Sequence, residues 1–244
     1  MAIEVFNRYE NKYLIGPGVY EKLQGRLLEH MKPDAYNLLH ETYSICNLYY
    51  DTDDSYLIRT SMSRPRYKEK LRLRAYGTPE TDSKVYVEIK KKFRGLVNKR
   101  RSVMRLDEAY GFLDSGEPPE IAPYMNRQVM REIAYILEQR RLAPRVYLAY
   151  RRRAFFGTEE PDLRVSFDTG IVARRADLRL ESGIYGENLL PGGKWLMEIK
   201  VARSIPVWLV KLLSEYQIYS SGFSKYGTEY RKTLAENTGG KGAA

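Results

Sequence analysis

The 244-residue chain carries 41 Lys and Arg against 31 Asp and Glu, a formal charge of +10, and is 43% hydrophobic; it can bury a sizeable core, and disorder by composition is excluded. One cysteine, Cys46, and two histidines, His30 and His40, exclude an internal disulfide and a metal site built from cysteine or histidine alone, so a metal here would be a hard, oxygen-bound ion. No apolar run reaches the ~20 residues of a membrane helix and the first residues lack the pattern of a secretion signal, while the net positive charge asks for a polyanionic partner: nucleic acid, a phosphorylated metabolite or an anionic membrane surface.

Period-two alternation is the main signal along the chain. Glu4 to Ile15 predicts a strand with Phe6, Arg8, Glu10 and Lys12 on one side, stopped by Gly16-Pro17-Gly18. Val19 to Met31 predicts an amphipathic helix through Val19, Leu23 and Leu27. Strands follow from Tyr43 to Tyr50, Tyr67 to Tyr76 and Lys84 to Phe93, and Asn98 to Leu106 pairs with the last of these after a turn at Arg94-Gly95. A short helix from Asp107 to Leu113, a proline-rich loop at Pro118 to Pro123 and a helix from Asn126 to Arg141 come next. Further strands are expected from Arg145 to Phe155, Leu163 to Asp168, Ile171 to Leu180 and Lys194 to Val201. Ser204 is placed to cap a helix from Ile205 to Tyr219, with Pro206 in its first turn. The chain lacks regular βα alternation, which disfavours a doubly wound sheet and predicts an α+β fold: an antiparallel sheet or barrel with peripheral helices. It reads as one domain over residues 1–236, with a flexible tail at 237–244.

The position of the charges is more informative than their number. In Lys70-Leu-Arg-Leu-Arg74 the cations share one parity and the leucines the other; Tyr86, Glu88 and Lys90, then Tyr150 and Arg152, then Arg164, Ser166 and Asp168, and finally Glu198 and Lys200 repeat the pattern. Arg72 and Arg74 stand about 7 Å apart, twice the strand rise, an unfavourable pair unless an anion lies between them. One reading is a set of solvated outer faces on half-buried strands. If the sheet closes on itself, the same face is the inside, and an interior of Arg, Lys and a few Glu is an anion site of polyphosphate size. Arg offers forked donors and Lys a point charge, and one contact at ~4 Å contributes about 4 kcal/mol of gross Coulomb energy in a partly screened site. A divalent cation bridging phosphate oxygens needs carboxylates, for which Glu10, Glu88 and Glu198 have the right parity. Lys91 to Arg94 and Asn98 to Arg101 form either a solvated rim or an electrostatic funnel.

Arg8-Tyr-Glu-Asn-Lys-Tyr-Leu14, Tyr49-Tyr-Asp-Thr52, Leu71-Arg-Leu-Arg-Ala-Tyr76, Glu88-Ile-Lys90, Tyr150-Arg-Arg-Arg-Ala-Phe155, Arg164-Val-Ser-Phe-Asp-Thr169, Met197-Glu-Ile-Lys200 and Phe223-Ser-Lys-Tyr226, in this order, resemble the triphosphate tunnel metalloenzyme (CYTH-like) superfamily. They are most similar to the VTC (vacuolar transporter chaperone) domain, whose catalytic member is a polyphosphate polymerase. The resemblance implies an antiparallel eight-stranded β-barrel that binds ATP, triphosphate or polyphosphate inside, with Mn2+ or Mg2+. By motif position it implies Arg72, Arg74, Lys90, Arg152 and Arg164 as catalytic phosphate holders, with Tyr150 orienting a phosphate. Lys12, Lys99, Lys200, Ser224 and Lys225 would add phosphate contacts. Glu198 would be the principal metal ligand, with Glu10 and Glu88 beside it. The superfamily often opens with Glu-x-Glu-x-Lys; here Arg8 stands in the first position, and Glu10 and Lys12 keep the other two.

The activity so implied is a cytoplasmic, metal-dependent polyphosphate polymerase that passes the ATP γ-phosphoryl group to a growing chain. A tripolyphosphatase or nucleoside triphosphatase of the same fold, or a polyphosphate-binding module without turnover, would use the same charges. Nucleic acid is not the expected partner, because that reading asks for outward cations interleaved with exposed aromatics. The helix with Trp208 is expected to pack against the core, with a peripheral membrane contact left open.

Overall fold

The computed structural model describes residues 9–239 except 64, 95 and 191. The strands are β1 (Tyr9–Ile15), β2 (Met31–Pro33), β3 (Tyr43–Asp51), β4 (Tyr67–Tyr76), β5 (Lys84–Phe93), β6 (Leu96–Arg105), β7 (Ala143–Gly157), β8 (Arg164–Arg174), β9 (Glu187–Asn188) and β10 (Trp195–Val201). The helices are α1 (Pro17–Leu27), α2 (Tyr56–Met62), α3 (Leu106–Ser115), α4 (Arg127–Gln139), α5 (Val207–Glu215) and α6 (Lys225–Gly239), with a single 3-10 turn at Ala35–Asn37. One sheet runs in the order β1-β10-β8-β7-β3-β4-β5-β6, with β2 added to β7 and β9 to β8. All of these pairings are antiparallel.

Alternation decides the layers. Leu71, Leu73, Val85, Val87 and Ile89 of β4 and β5 are buried with Phe112 of α3 and Ile133 of α4. Val165, Phe167, Met197 and Ile199 of β8 and β10 are buried with Leu23 and Leu27 of α1 and Leu209 of α5. Helices therefore seal the outer side of the sheet at both ends, and the opposite parity is left to face inward. A third cluster closes part of that inner face, where Ile45, Leu148, Ile171 and Leu196 meet Ile58 of α2 and Tyr226 of α6.

The sheet is open, not the expected closed barrel: β1 and β6 are its edges, and among the described residues no backbone pairing joins them. It is curled, because Glu10 of β1 lies 3.9 Å from Lys90 of β5. Charged side chains, not backbone hydrogen bonds, span the gap, and a side-chain contact imposes no strand register. The two strands expected around Asp168 and Ile171 are one, β8. Gly170 adopts φ +57° and the register against β7 shifts between Ala149 and Arg151. Such a bulge reverses the parity, so Arg164 and Asp168 before it and Ile171 after it all face inward.

Smaller differences have local causes. α1 starts at Pro17, whose missing N–H costs nothing at a helix start, and Met31–Pro33 pairs with β7 instead of ending the helix. The residue before α5 is Pro206, with no side-chain cap, so Ser204 does not cap that helix. α2 and α6 are additional to the predicted elements. Residues 4–8 of the first strand, Gly95 of the predicted turn and 240–244 of the predicted tail lie outside the described residues, and 237–239 belong to α6. Among the described residues no helix is long and apolar enough to cross a membrane.

Asp51 ties the inner plug together. Its fully buried carboxylate accepts the N–H groups of Thr52, Leu57 and Ile58 at 2.8, 2.8 and 3.0 Å and the Tyr226 hydroxyl at 2.9 Å. It holds the start of α2 and fastens α6 to β3. Asp51→Asn turns an acceptor into a donor facing donors, and is expected to lower the unfolding free energy in urea by about 3 kcal/mol; an unchanged denaturation midpoint would contradict this role.

Candidate functional site

Two ion-pair clusters occupy the inner face. The first surrounds Glu88 of β5, which is 1% exposed. Arg72 Nη2 lies 2.6 Å from its carboxylate, Lys99 Nζ 2.7 Å and Arg74 Nε 3.8 Å. Strand register explains the arrangement, since Arg72 on β4 pairs directly with Glu88 and Lys99 on β6 is the partner of Lys90, the next inward residue. Arg72 Nη1 also donates to the Tyr49 hydroxyl at 3.1 Å, and Arg74 Nε donates to Asn47 Oδ1 at 2.9 Å.

The second cluster surrounds Asp168 and Glu198. Arg152 grips Asp168 with a two-pronged fork, Nε at 2.7 Å and Nη2 at 2.8 Å, and its Nη2 lies 3.6 Å from Glu198. Lys225, the first residue of α6, bridges Asp168 at 2.5 Å and Glu198 at 3.2 Å. Lys200 at 3.1 Å and Lys12 at 3.5 Å complete the shell of Glu198, and Lys12 lies 3.3 Å from Glu10. Tyr150 joins the clusters: its hydroxyl accepts from Arg74 Nη2 at 3.4 Å, and its ring lies under Lys225 at 4.5 Å and Arg152 at 5.2 Å.

Cations exceed carboxylates on this face, and the proton affinities record it. Burial would raise Glu88 and Glu198, but the surrounding cations hold both well below the usual carboxylate range. Burial also opposes ionisation of Glu10, yet Lys90 and Lys200 draw it down to about 2. The lysines show the other side of the imbalance. Burial, reinforced by Arg72 and Arg74 against the pull of Glu88, pushes Lys99 down to about 7. Burial likewise lowers Lys70 to about 8, with Lys90 and Lys12 adding to the effect, and burial lowers Lys200 against the pull of Glu198 and Glu10. Tyr49 is opposed by burial but surrounded by Arg72, Lys70 and Arg74, and falls to about 8.

The sequence-predicted residues are largely brought together. Lys12, Arg72, Arg74, Lys90, Lys99, Tyr150, Arg152, Glu198, Lys200 and Lys225 lie in or beside these two clusters. Arg164 stands to one side, 3.6 Å from Asp34 and over the Phe156 ring at 4.9 Å. Its Nε and the nearby Ser166 Oγ are buried without a hydrogen-bond partner among the described residues. Ser224, next to Lys225, accepts the Gly227 N–H on Oγ at 3.3 Å in the first turn of α6, which leaves its hydroxyl proton to donate. Glu10, Glu88 and Glu198 do not form one metal-ligand set. Among the described residues no three His, Cys, Asp or Glu side chains converge, and Glu88 is occupied by three cations. Lys70, Tyr49 and Asp168 also belong to the site: Lys70 and Asp168 share the parity of Arg72 and Arg164, and Tyr49 opens the Tyr49-Tyr-Asp-Thr52 motif, but neither pattern assigns them a role. Lys91 and Arg100 point away from the inner face, onto Glu132 of α4 at 2.5 and 3.2 Å.

Neutralising Glu88 leaves Arg72, Arg74 and Lys99 without a counter-ion. Glu88→Gln is expected to cost about 3 kcal/mol of folding stability, with tripolyphosphate restoring more of the melting temperature than it adds to the wild type. A variant as stable as the wild type would contradict the counter-ion role.

No curated protein matches the sequence. Among solved structures, a candidate adenylate cyclase of Bacillus halodurans superposes with a TM-score of 0.53 at 14% identity, covering 89% of this chain and 95% of that one; at such identity the likeness concerns the fold. A candidate adenylate cyclase of Vibrio parahaemolyticus (TM-score 0.49, 10% identity, 93% and 99% coverage) and the Mimivirus capping-enzyme triphosphatase (0.34, 10%, 86% and 88%) superpose less closely. The VTC domain family model matches residues 7–234, which include every charged group of the two clusters, and the chain belongs to the VTC domain family.

Proposed function

We propose that the inner face binds the phosphates of ATP and of polyphosphate, and that the protein is a metal-dependent polyphosphate polymerase acting in the cytoplasm. The observation that carries the reading is the excess of cations over carboxylates on a largely buried face, where burial, reinforced by neighbouring cations, lowers Lys99 and Lys70. An entering polyanion relieves that excess. A surface salt-bridge network would have no such deficit.

The guanidinium forks of Arg72, Arg74, Arg152 and Arg164 and the ammonium groups of Lys12, Lys90, Lys99, Lys200 and Lys225 take the places of water around the phosphates. The terminal oxygen of the polyphosphate chain attacks the γ-phosphorus of ATP. The bond from that phosphorus to the β–γ bridging oxygen breaks, and ADP leaves. Such a transfer needs alignment and charge stabilisation more than a protein nucleophile, and the Tyr150 hydroxyl and the charged lysines around it supply donors. Glu198 and Glu10, on either side of Lys12, are hard oxygen donors suited to an ion that keeps phosphate oxygens and water as most of its ligands. Bound Mn2+ or Mg2+ would supply charge neutralisation between phosphate oxygens. Glu88 lies in the other cluster, with Arg72, Arg74 and Lys99, and is not assigned to that role.

Incubation with ATP and Mn2+ is expected to yield long-chain polyphosphate and ADP; free phosphate without polymer would make the protein a hydrolase, and neither product, with tight triphosphate binding, a binding module. Arg72→Ala and Arg164→Ala are each expected to weaken tripolyphosphate binding at least about tenfold, the worth of one charge-assisted contact, and unchanged affinity in both would remove the site. Glu198→Gln is expected to abolish metal-dependent turnover while the circular dichroism stays native. Anion binding favours the charged form of Lys99 and Lys70, so protons are taken up on binding and affinity is full below the depressed values of about 7 and about 8. Titration calorimetry from about pH 6 to about pH 9 should show tripolyphosphate affinity falling across that window, and Lys70→Arg with Lys99→Arg should flatten the fall.

A further inference from the structure

Beside the charged clusters the inner face carries a group of aromatic rings that phosphate binding does not use. Tyr43 opens β3, at the end opposite Asp51 and α2; Tyr76 closes β4; Tyr86 lies near the start of β5. All three have the inward parity. Tyr36, in the turn at Ala35–Asn37, completes the group. Its ring is parallel to that of Tyr76, 2° between planes and 5.8 Å between centroids. Tyr43 is tilted against them at 5.4 and 6.1 Å, and Tyr86 meets Tyr76 edge-on at 5.7 Å. Packing does not hide the rings: Tyr36 remains 58% exposed and Tyr76 38%.

The platform adjoins the anion-binding face. Tyr43 pairs in register with Arg152, and Tyr86 with Arg74. The Tyr43 hydroxyl donates to Asp34 at 3.4 Å, the same carboxylate that Arg164 approaches at 3.6 Å. Arg101 lies over the Tyr86 ring at 4.7 Å. A ligand filling both surfaces would present a flat π-system at one end and a run of anionic oxygens at the other. We propose that the Tyr36–Tyr76 platform docks the purine base of a nucleoside triphosphate whose phosphates lie on the inner cations. The inference rests on the phosphate-binding reading of that face and adds what selects a nucleotide over inorganic triphosphate. Rings stack on any base through its π-face, and the flanking guanidinium groups of Arg74 and Arg152 are on strand positions directly paired with Tyr86 and Tyr43.

The test compares two ligands on one variant. Tyr36→Ala removes the most exposed ring and keeps the Tyr36 N–H bond to Asp34, which is a backbone contact. Titration calorimetry is expected to show ATP binding weakened about tenfold, the size of one base–aromatic stack, with inorganic tripolyphosphate affinity unchanged. Tyr36→Phe, which keeps the ring, should bind both ligands as the wild type does. ATP affinity unaltered by Tyr36→Ala, or a parallel loss for both ligands, overturns the proposal while leaving the phosphate site intact. A wild-type chain that binds neither ligand overturns the phosphate reading and this inference together.

Discussion

Every charged side chain on the inner face answers to one constraint: cations withdrawn from water need counter-ions at contact distance. Glu88, Asp168 and Glu198 meet it for Arg72, Arg152, Lys225 and their neighbours, at separations of 2.5–2.7 Å for the closest pairs. Removing a charge from water is expensive, and a buried pair repays the cost only with good geometry. Even with Glu10 beside Lys12 and Lys90, these carboxylates cannot serve the whole face. Burial, offset by too few counter-ions, lowers the proton affinities of Lys99, Lys70 and Lys200. Stability and ligand affinity therefore oppose each other here: another carboxylate would quiet the interior and remove its reason to take an anion.

The charges have nowhere else to go because the outer faces of the strands are already spent. α3 and α4 cover one end of the sheet and α1 and α5 the other, each over a dry apolar layer. α6 links this architecture to the site at one step of the chain. Tyr226 is bound to Asp51 in the plug, and the preceding Lys225 lies between Asp168 and Glu198. Loss of the first contact would displace the second.

Much of this was legible in the sequence, for a simple reason. Period two assigns a side to each strand residue without knowledge of the tertiary fold, so Arg72, Arg74, Glu88, Arg152 and Glu198 could be placed on one face by counting. What could not be counted was missed. α6 is a polar helix whose few buried residues, Tyr226 and Glu229 among them, leave a faint pattern. The bulge at Gly170 reverses the parity in mid-strand and made β8 look like two. Pairing between edge strands has no side-chain signature, so an open sheet and a barrel read alike.

Among the described residues β1 and β6 do not pair with each other, while Tyr13 of β1 bridges to Ser220 on its outer side; for the proposed polymer this bears on how it would reach the cations. A sealed cylinder admits a polymer only by its tip, and each molecule must then travel the full bore. Here, among the described residues, Glu10 and Lys90 meet across the gap at 3.9 Å, both charged and both within reach of solvent. On the proposed reading, a gap spanned by side chains and not by a backbone ladder would let an extended filament be laid in or lifted out broadside once such contacts part. The product of the proposed polymerase would then not need to slide its whole length past the arginines.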